Sequence, residues 1–247
     1  MNAGKCKIMH FDNKNPNIEY YIENGNERVV LDVTEAEKDL GVIITNNCKN
    51  KLQAEKSINR ANYELGRLRK TFKFFNAEIF KILYPTFVRP HLEYASSVWN
   101  SISMQHETML EGIQRRATKM VVETRTLDYE DRLKALGLTT LELRRKRGDL
   151  IQTYKIINRV EEVDIDMGIG NNFRRGGVNA GRRHGHQKEI EKRGYNPMRN
   201  NSLPNRTATT WNILPSEVVM ADSTKVFKSG IDEHMRSQSW RRSIYNA

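Results

Sequence analysis

The chain has 247 residues and a formal charge of +11, from 41 Lys+Arg against 30 Asp+Glu. That length suits one large or two small domains, with core enough that no disulfide or metal staple is needed. The longest apolar run, Leu40 to Ile44, is five residues and excludes a transmembrane helix. No apolar stretch follows Met1, so no secretory leader is expected, and Cys6 and Cys48 form no CxxC pair, which argues against a disulfide framework or a cysteine zinc site. Positive charge concentrates in two segments, +6 over residues 51–125 and +6 over 141–200. Such an excess points to a polyanionic partner, of which nucleic acid is the commonest, although a solubilising surface would carry it equally well.

The first 46 residues read as short strands. Lys5 to Phe11 alternates polar and apolar residues, Ile18 to Ile22 forms a second strand, Asn24-Gly25 is a hairpin signal, Arg28 to Val33 returns, and Leu40 to Ile44 is a buried fourth. Together they predict one small antiparallel sheet that needs an element packed on it. The acidic residues Glu35, Glu37 and Asp39 before the last strand read as a solvated loop.

From Asn50 the period changes. Ile58, Ala61, Leu65, Leu68 and Phe72 form a helical stripe, with Lys56, Arg60, Arg67 and Lys70 off it. Asn76 can cap the next helix, which Pro85 and Pro90 should kink or break. A helix over about 103–123 turns Leu110, Ile113 and Ala117 inward and Arg115, Arg116 and Lys119 outward. A short helix at Tyr129–Leu136 stops at Gly137. Thr139-x-x-Glu142 reads as a capping box opening a helix through Asn158, with Arg144-Arg145-Lys146-Arg147 in its first turns. Cations there oppose the helix dipole, a cost that packing or an anionic partner must offset. Residues 161–200 are glycine-rich and basic and read as a flexible linker. A compact tail follows, with Trp211-Asn212-Ile213-Leu214-Pro215 and a helix from Ser223 to Met235.

Catalytic signatures are missing from the sequence. It has no GxGxxG or GxxxxGK[ST] phosphate loop, no GxSxG elbow and no HExxH. His184 and His186 lie in the glycine-rich stretch without a nearby cysteine and read as loop rather than metal ligands. Asp164 and Asp166 leave a helix towards glycines, whereas a two-metal site needs carboxylates on a rigid strand. The aromatic residues Tyr20, Tyr21, Phe72, Phe74 and Phe75 are of a type that stacks on bases, but at strand and helix-end positions core is the commoner role.

Several strings nevertheless resemble a known family. They are Lys5-Cys6-Lys7-Ile8-Met9-His10-Phe11, Glu37-Lys38-Asp39-Leu40-Gly41-Val42-Ile43-Ile44, Val88-Arg89-Pro90-His91-Leu92-Glu93-Tyr94 with Val98-Trp99, Ile113-Gln114-Arg115-Arg116-Ala117-Thr118-Lys119-Met120, Arg147-Gly148-Asp149-Leu150-Ile151-Gln152-Thr153-Tyr154-Lys155, and Trp211-Asn212-Ile213-Leu214-Pro215 with Phe227-Lys228. In this order they resemble the back half of the reverse transcriptases of jockey-like LINE, or non-LTR, retrotransposons, over nearly the whole chain and most weakly at 161–200. The resemblance implies that the first strands correspond to the end of the palm, and that Leu40, Gly41 and Val42 belong to a primer-grip-like hairpin. The helical block then corresponds to the thumb, which holds template and primer by the backbone. The family's catalytic aspartates lie upstream of the first matching string, and no Asp-Asp occurs in this sequence. The resemblance therefore implies a fragment of an RNA-directed DNA polymerase without activity of its own and without a cofactor, although the intact enzyme would use a divalent metal such as Mg2+.

The expected fold is mainly α with a small N-terminal antiparallel β element, an α+β class with a thumb-like helical body. The expected divisions are 1–46 β element, 47–160 helical body, 161–200 linker and 201–247 tail. The expected function is sequence-independent binding of RNA–DNA or duplex backbone, by Arg60, Arg67, Arg115, Arg116, Lys119, Arg144, Arg145 and Arg147. The alternatives are a co-opted helical interaction module with a protein partner, or a non-functional retroelement product. No membrane association is expected. The location is expected to be intracellular, and the basic clusters are of the kind that serve nuclear import.

Overall fold

A computed structural model describes residues 3–11, 15–24, 27–100, 102–163, 188–190 and 200–236. The fold is mainly helical with a few short strands near the N-terminus, an α+β class. The chain divides into two compact units, an N-terminal one of residues 1–95 and 99–128 and a C-terminal one of 96–98 and 129–247. The helical stretch expected to form one body over 47–160 is therefore shared between the units, and the tail belongs with its second half.

The strands depart from expectation. β1 (Lys7–Ile8) pairs in parallel with β4 (Asp32–Val33), β2 (Tyr21–Asn24) pairs antiparallel with β3 (Glu27–Val30), and β5 (Ala36–Asp39) pairs antiparallel with β6 (Val42–Thr45). These are three separate two-stranded ladders and not one sheet. Of the acidic residues taken as a loop, Glu37 and Asp39 lie in strand β5, where Glu37 pairs with Lys7 at 3.0 Å, and Glu35 precedes it. Leu40 is not in a strand: it forms the tip of the β5–β6 hairpin with Gly41, both at positive φ (43° and 89°), and Leu40 is 85% exposed. Glycine adopts that conformation without strain, which fixes the turn there. Strand β6 is stabilised by what lies against it. The amide of Ile43 donates to Gln53 Oε1 at 2.9 Å, and Lys56 Nζ donates to the Gly41 carbonyl at 2.6 Å. The Tyr94 hydroxyl donates to the Leu40 carbonyl at 2.8 Å.

Helix α1 (Lys51–Thr71) follows the predicted period, with Ala54, Ile58, Ala61, Leu65 and Leu68 buried. Asn76 caps α2 (Ala77–Leu83) by accepting from the Ile79 amide at 2.8 Å. The prolines do not break this rod. A π turn, Tyr84–Val88, carries it into α3 (Arg89–Glu93), with the Arg89 amide bonding the Tyr84 carbonyl five residues back. Proline removes the amide that would continue the ordinary ladder, and a wider turn absorbs the shift. Phe80, Tyr84, Val88 and Leu92 then share one stripe, each at most 1% exposed. The Tyr84 hydroxyl donates to Gln114 Oε1 at 2.9 Å on α5 (Met104–Lys119), so the one polar atom of the stripe is satisfied. The short α4 (Ser96–Trp99) precedes α5.

In the C-terminal unit, α6 (Tyr129–Leu136) ends at Gly137, at φ 67°. Helix α7 (Leu141–Ile157) is capped by Thr140, whose hydroxyl accepts from the Leu143 amide, one residue later than the expected box. The tail supplies α8 (Leu203–Asn212), unforeseen in the sequence, with Pro204 in its first turn where a missing amide costs nothing. Helices α9 (Ser216–Val219) and α10 (Thr224–Arg236) complete it. Leu150, Tyr154, Trp211, Val219, Phe227 and Ile231 form the core. Ile190, inside the expected linker, joins that core: its backbone amide and carbonyl are both bonded by the Asn212 side chain, and Trp211 Nε1 donates to the Lys188 carbonyl. Residues 164–187 and 191–199 lie outside the described residues, and with them Asp164, Asp166, His184 and His186.

Candidate nucleic-acid interface

Two helices of the N-terminal unit carry cations on facing surfaces. On α1, Asn62, Leu65, Gly66 and Arg69 recur at helical spacing and share one face. On α5, Arg116 and Lys119 share another, one turn apart. A cleft of about 720 Å³ lies among these residues, and Phe72, Lys73, Phe75, Met120 and Arg125 complete its lining. Among the described residues its cations are the five Arg69, Lys73, Arg116, Lys119 and Arg125, and no carboxylate lines it. Among the described residues none of the five has an ion-pair partner. Arg116 donates to the neutral Asn62 Oδ1 at 2.7 Å, which orients its guanidinium across the cleft and leaves the charge uncompensated. Arg69 and Lys119 also lie in the last turns of their helices, where a cation interacts favourably with the dipole, so the fold tolerates the cluster without an anion.

The wall between α1 and α2 is fixed. The Phe72 amide bonds the Leu68 carbonyl, and the Phe75 carbonyl accepts from the Val122 amide at 3.1 Å. The Phe75 ring packs edge-on against Phe72 and Phe80, each with centroids 6.1 Å apart. Of the aromatics singled out in the sequence, Phe75 is therefore core, while Phe74 beside it is 81% exposed. Gly66 is also unusual. It sits inside a helix, where glycine costs about 0.5–1 kcal/mol relative to alanine, yet a Cβ there would meet nothing within 4 Å. Packing does not require glycine at that position, and the missing side chain leaves the cleft wider.

The eight cations expected from the sequence are distributed unequally. Arg116 and Lys119 line the cleft, and Arg115 is exposed on the same helix outside it. Arg60 and Arg67 both bind Glu64, at 2.9 and 3.1 Å, and their charge is committed to a carboxylate that is 5% exposed. Arg145 is 2% exposed and is removed from any external phosphate. Arg144 is half-buried on the same helix. Arg147 grips Asp232 of α10 through Nε (2.5 Å) and Nη2 (2.8 Å), a bidentate pair between helices and not within one. Arg69, Lys73 and Arg125 were not singled out in the sequence. For Arg69 the signal was its spacing of three and seven residues from Gly66 and Asn62, which mattered only once α5 was known to face it. The expected primer-grip-like residues are together at the β5–β6 tip, with Val42 buried and Leu40 exposed.

The Arg147 hydrogen bonds hold the Asp232 carboxyl below its usual range, against a smaller opposing effect of burial. A depressed folded pKa stabilises the fold above the unfolded value of about 3.9 and ceases to do so as pH falls through the folded value. Arg147→Gln is therefore expected to cost about 0.5–1 kcal/mol at neutral pH, the pair being about one-third exposed. The difference from the parent should shrink towards zero as acid protonates Asp232, which denaturant titrations between neutral and strongly acidic pH would read.

Among the described residues no group of three or more His, Cys, Asp or Glu is placed to hold a metal ion, and no helix is long and apolar enough to cross a membrane. Compared with known protein families, characterised proteins and solved structures, the chain matches none of them.

Proposed function

We propose that this chain binds nucleic acid through its phosphate backbone, without reading sequence, and that it does so as a thumb-like part of a non-LTR retrotransposon reverse transcriptase. The observation that carries the binding is the cleft, whose five cations have no carboxylate among them in the described residues. Lys and Arg on helical faces position phosphates and give affinity that carries no sequence information. The strings quoted above carry the family reading. They resemble the part of such an enzyme that follows the catalytic aspartates, so this stretch supplies grip and not nucleotidyl transfer.

The experiment is binding of the purified chain to a labelled RNA–DNA hybrid bearing a single-stranded overhang, at several salt concentrations. With three to five of the five cleft cations on phosphates, log K should fall with log salt at a slope of about −2.7 to −4.5 on a duplex. Arg116→Glu with Lys119→Glu should weaken binding and flatten that slope. A folded protein with no affinity at low salt would overturn the reading. That result would favour protein docking, for which the exposure of Ile82 (66%) and Phe87 (46%) on the α2–α3 rod is the supporting observation.

A further inference from the structure

The size and rim of the cleft say more about its ligand than its charge does. A volume of about 720 Å³ falls within the ~300–1,000 Å³ of sites that enclose a small ligand. Nucleotide units of a single strand can enter such a space, whereas a duplex presents its phosphates along a surface and keeps its bases stacked inside. Gly66 widens the cleft at the point where a side chain would narrow it, at no gain in packing. Phe74, 81% exposed, lies in the chain between two residues that line the cleft, Lys73 and Phe75. Phe75 is buried and its carbonyl is bonded to Val122, so the backbone that presents the Phe74 ring is held in place. An exposed aromatic ring on an ordered backbone, one residue along the chain from a cation of the cleft, supplies with the cleft the two elements that single strands use, phosphate contacts and base stacking.

We infer that the ligand of this cleft is an unpaired strand, its phosphates among Arg69, Lys73, Arg116, Lys119 and Arg125 and one of its bases stacked on Phe74. This rests on the nucleic-acid reading proposed above and narrows it from backbone in general to single-stranded RNA or DNA, including the overhang beyond a duplex. Stacking needs an exposed base face, which a blunt duplex offers only at its ends.

The test measures fluorescence anisotropy of the full chain with three probes sharing one labelled strand: the strand alone, a hybrid with an overhang, and a blunt hybrid. The strand and the overhang should bind at least about tenfold more tightly than the blunt hybrid. Phe74→Ala should weaken the first two by about fivefold or more, the range of one base–aromatic stack, and leave the blunt hybrid unchanged. Because it removes no charge, the salt slope should stay as in the parent. Gly66→Leu, which fills the cleft with a helix-favouring residue, should weaken the same two probes, with circular dichroism confirming the fold of both variants. Equal affinity for all three probes, with neither variant having an effect, would overturn this inference and leave backbone binding standing. Absence of binding to any probe at low salt would overturn both.

Discussion

Asp149→Ala is expected to destabilise the C-terminal unit by about 3–5 kcal/mol, the usual cost of removing one partner of a buried ion pair. Asp149 is 3% exposed on α7 and faces Arg206 of α8, which donates Nε to one carboxylate oxygen at 3.0 Å and Nη2 to the other at 2.9 Å. The same guanidinium also donates to the backbone carbonyls of Asn201 and Ser97. One side chain therefore ties α7, α8 and the segment 96–98 together, and the carboxylate is what neutralises it. Without Asp149 the cation stays in a site that excludes most water, and its desolvation is no longer offset. Replacing both charges, as in Asp149→Leu with Arg206→Met, should cost less, since the buried Arg206 guanidinium is then no longer left without its carboxylate. Urea titration followed by tryptophan fluorescence reads the difference, because Trp211 lies in the core of the same unit.

That ion pair also shows why part of the structure was hidden in the sequence. Leu141, Arg145, Asp149 and Thr153 follow one another at steps of four on α7, and all are buried. The stripe was there to be read, but two of its members are charged, and a search for apolar periodicity passes over it to Leu143, Leu150 and Ile157. Burial of Leu141 at the first helical position also explains why Thr140 is the cap and not Thr139. The long helices were legible because a period of 3.6 repeated over many turns is a strong signal. The strands were not, since ladders of two to four residues carry too few alternations to fix register or partner. The cleft was half legible. Arg116 and Lys119 followed from the polar face of α5, while Arg69, Lys73 and Arg125 needed knowledge of which face α1 turns to α5. Phe74 and Phe75 were equivalent in sequence and opposite in fact, because only the second is fixed into the core by its contacts with Phe72, Phe80 and Val122.

Replacing Arg60 and Arg67 together by alanine should damage stability and spare binding, the reverse of what their position on a basic helix suggests. Glu64 lies between them with 5% of its surface exposed, and each arginine donates to a different carboxylate oxygen. Removing both leaves a buried carboxylate without either guanidinium, at a cost of about 1–3 kcal/mol; the value is set below that of a fully buried pair because the arginines themselves are more than half exposed. Adding Glu64→Gln to the double variant should restore much of the loss, since a neutral amide is far less costly to leave under-bonded than a charge. Measured on the folded fraction, the affinity of the double variant for an overhang-bearing hybrid should stay within about twofold of the parent, since no phosphate contact is lost and the salt slope is set by the contacts that remain. Arg116→Ala with Lys119→Ala should behave in the opposite way. Neither residue neutralises a carboxylate among the described residues, so stability should hold while the salt slope on a single strand falls by about 1.4, roughly 0.7 for each contact. A double variant at 60 and 67 that keeps its stability and loses its binding would place the phosphates on the outer face of α1, away from the cleft, because only there would those two guanidinium groups be free of Glu64 and available to an anion.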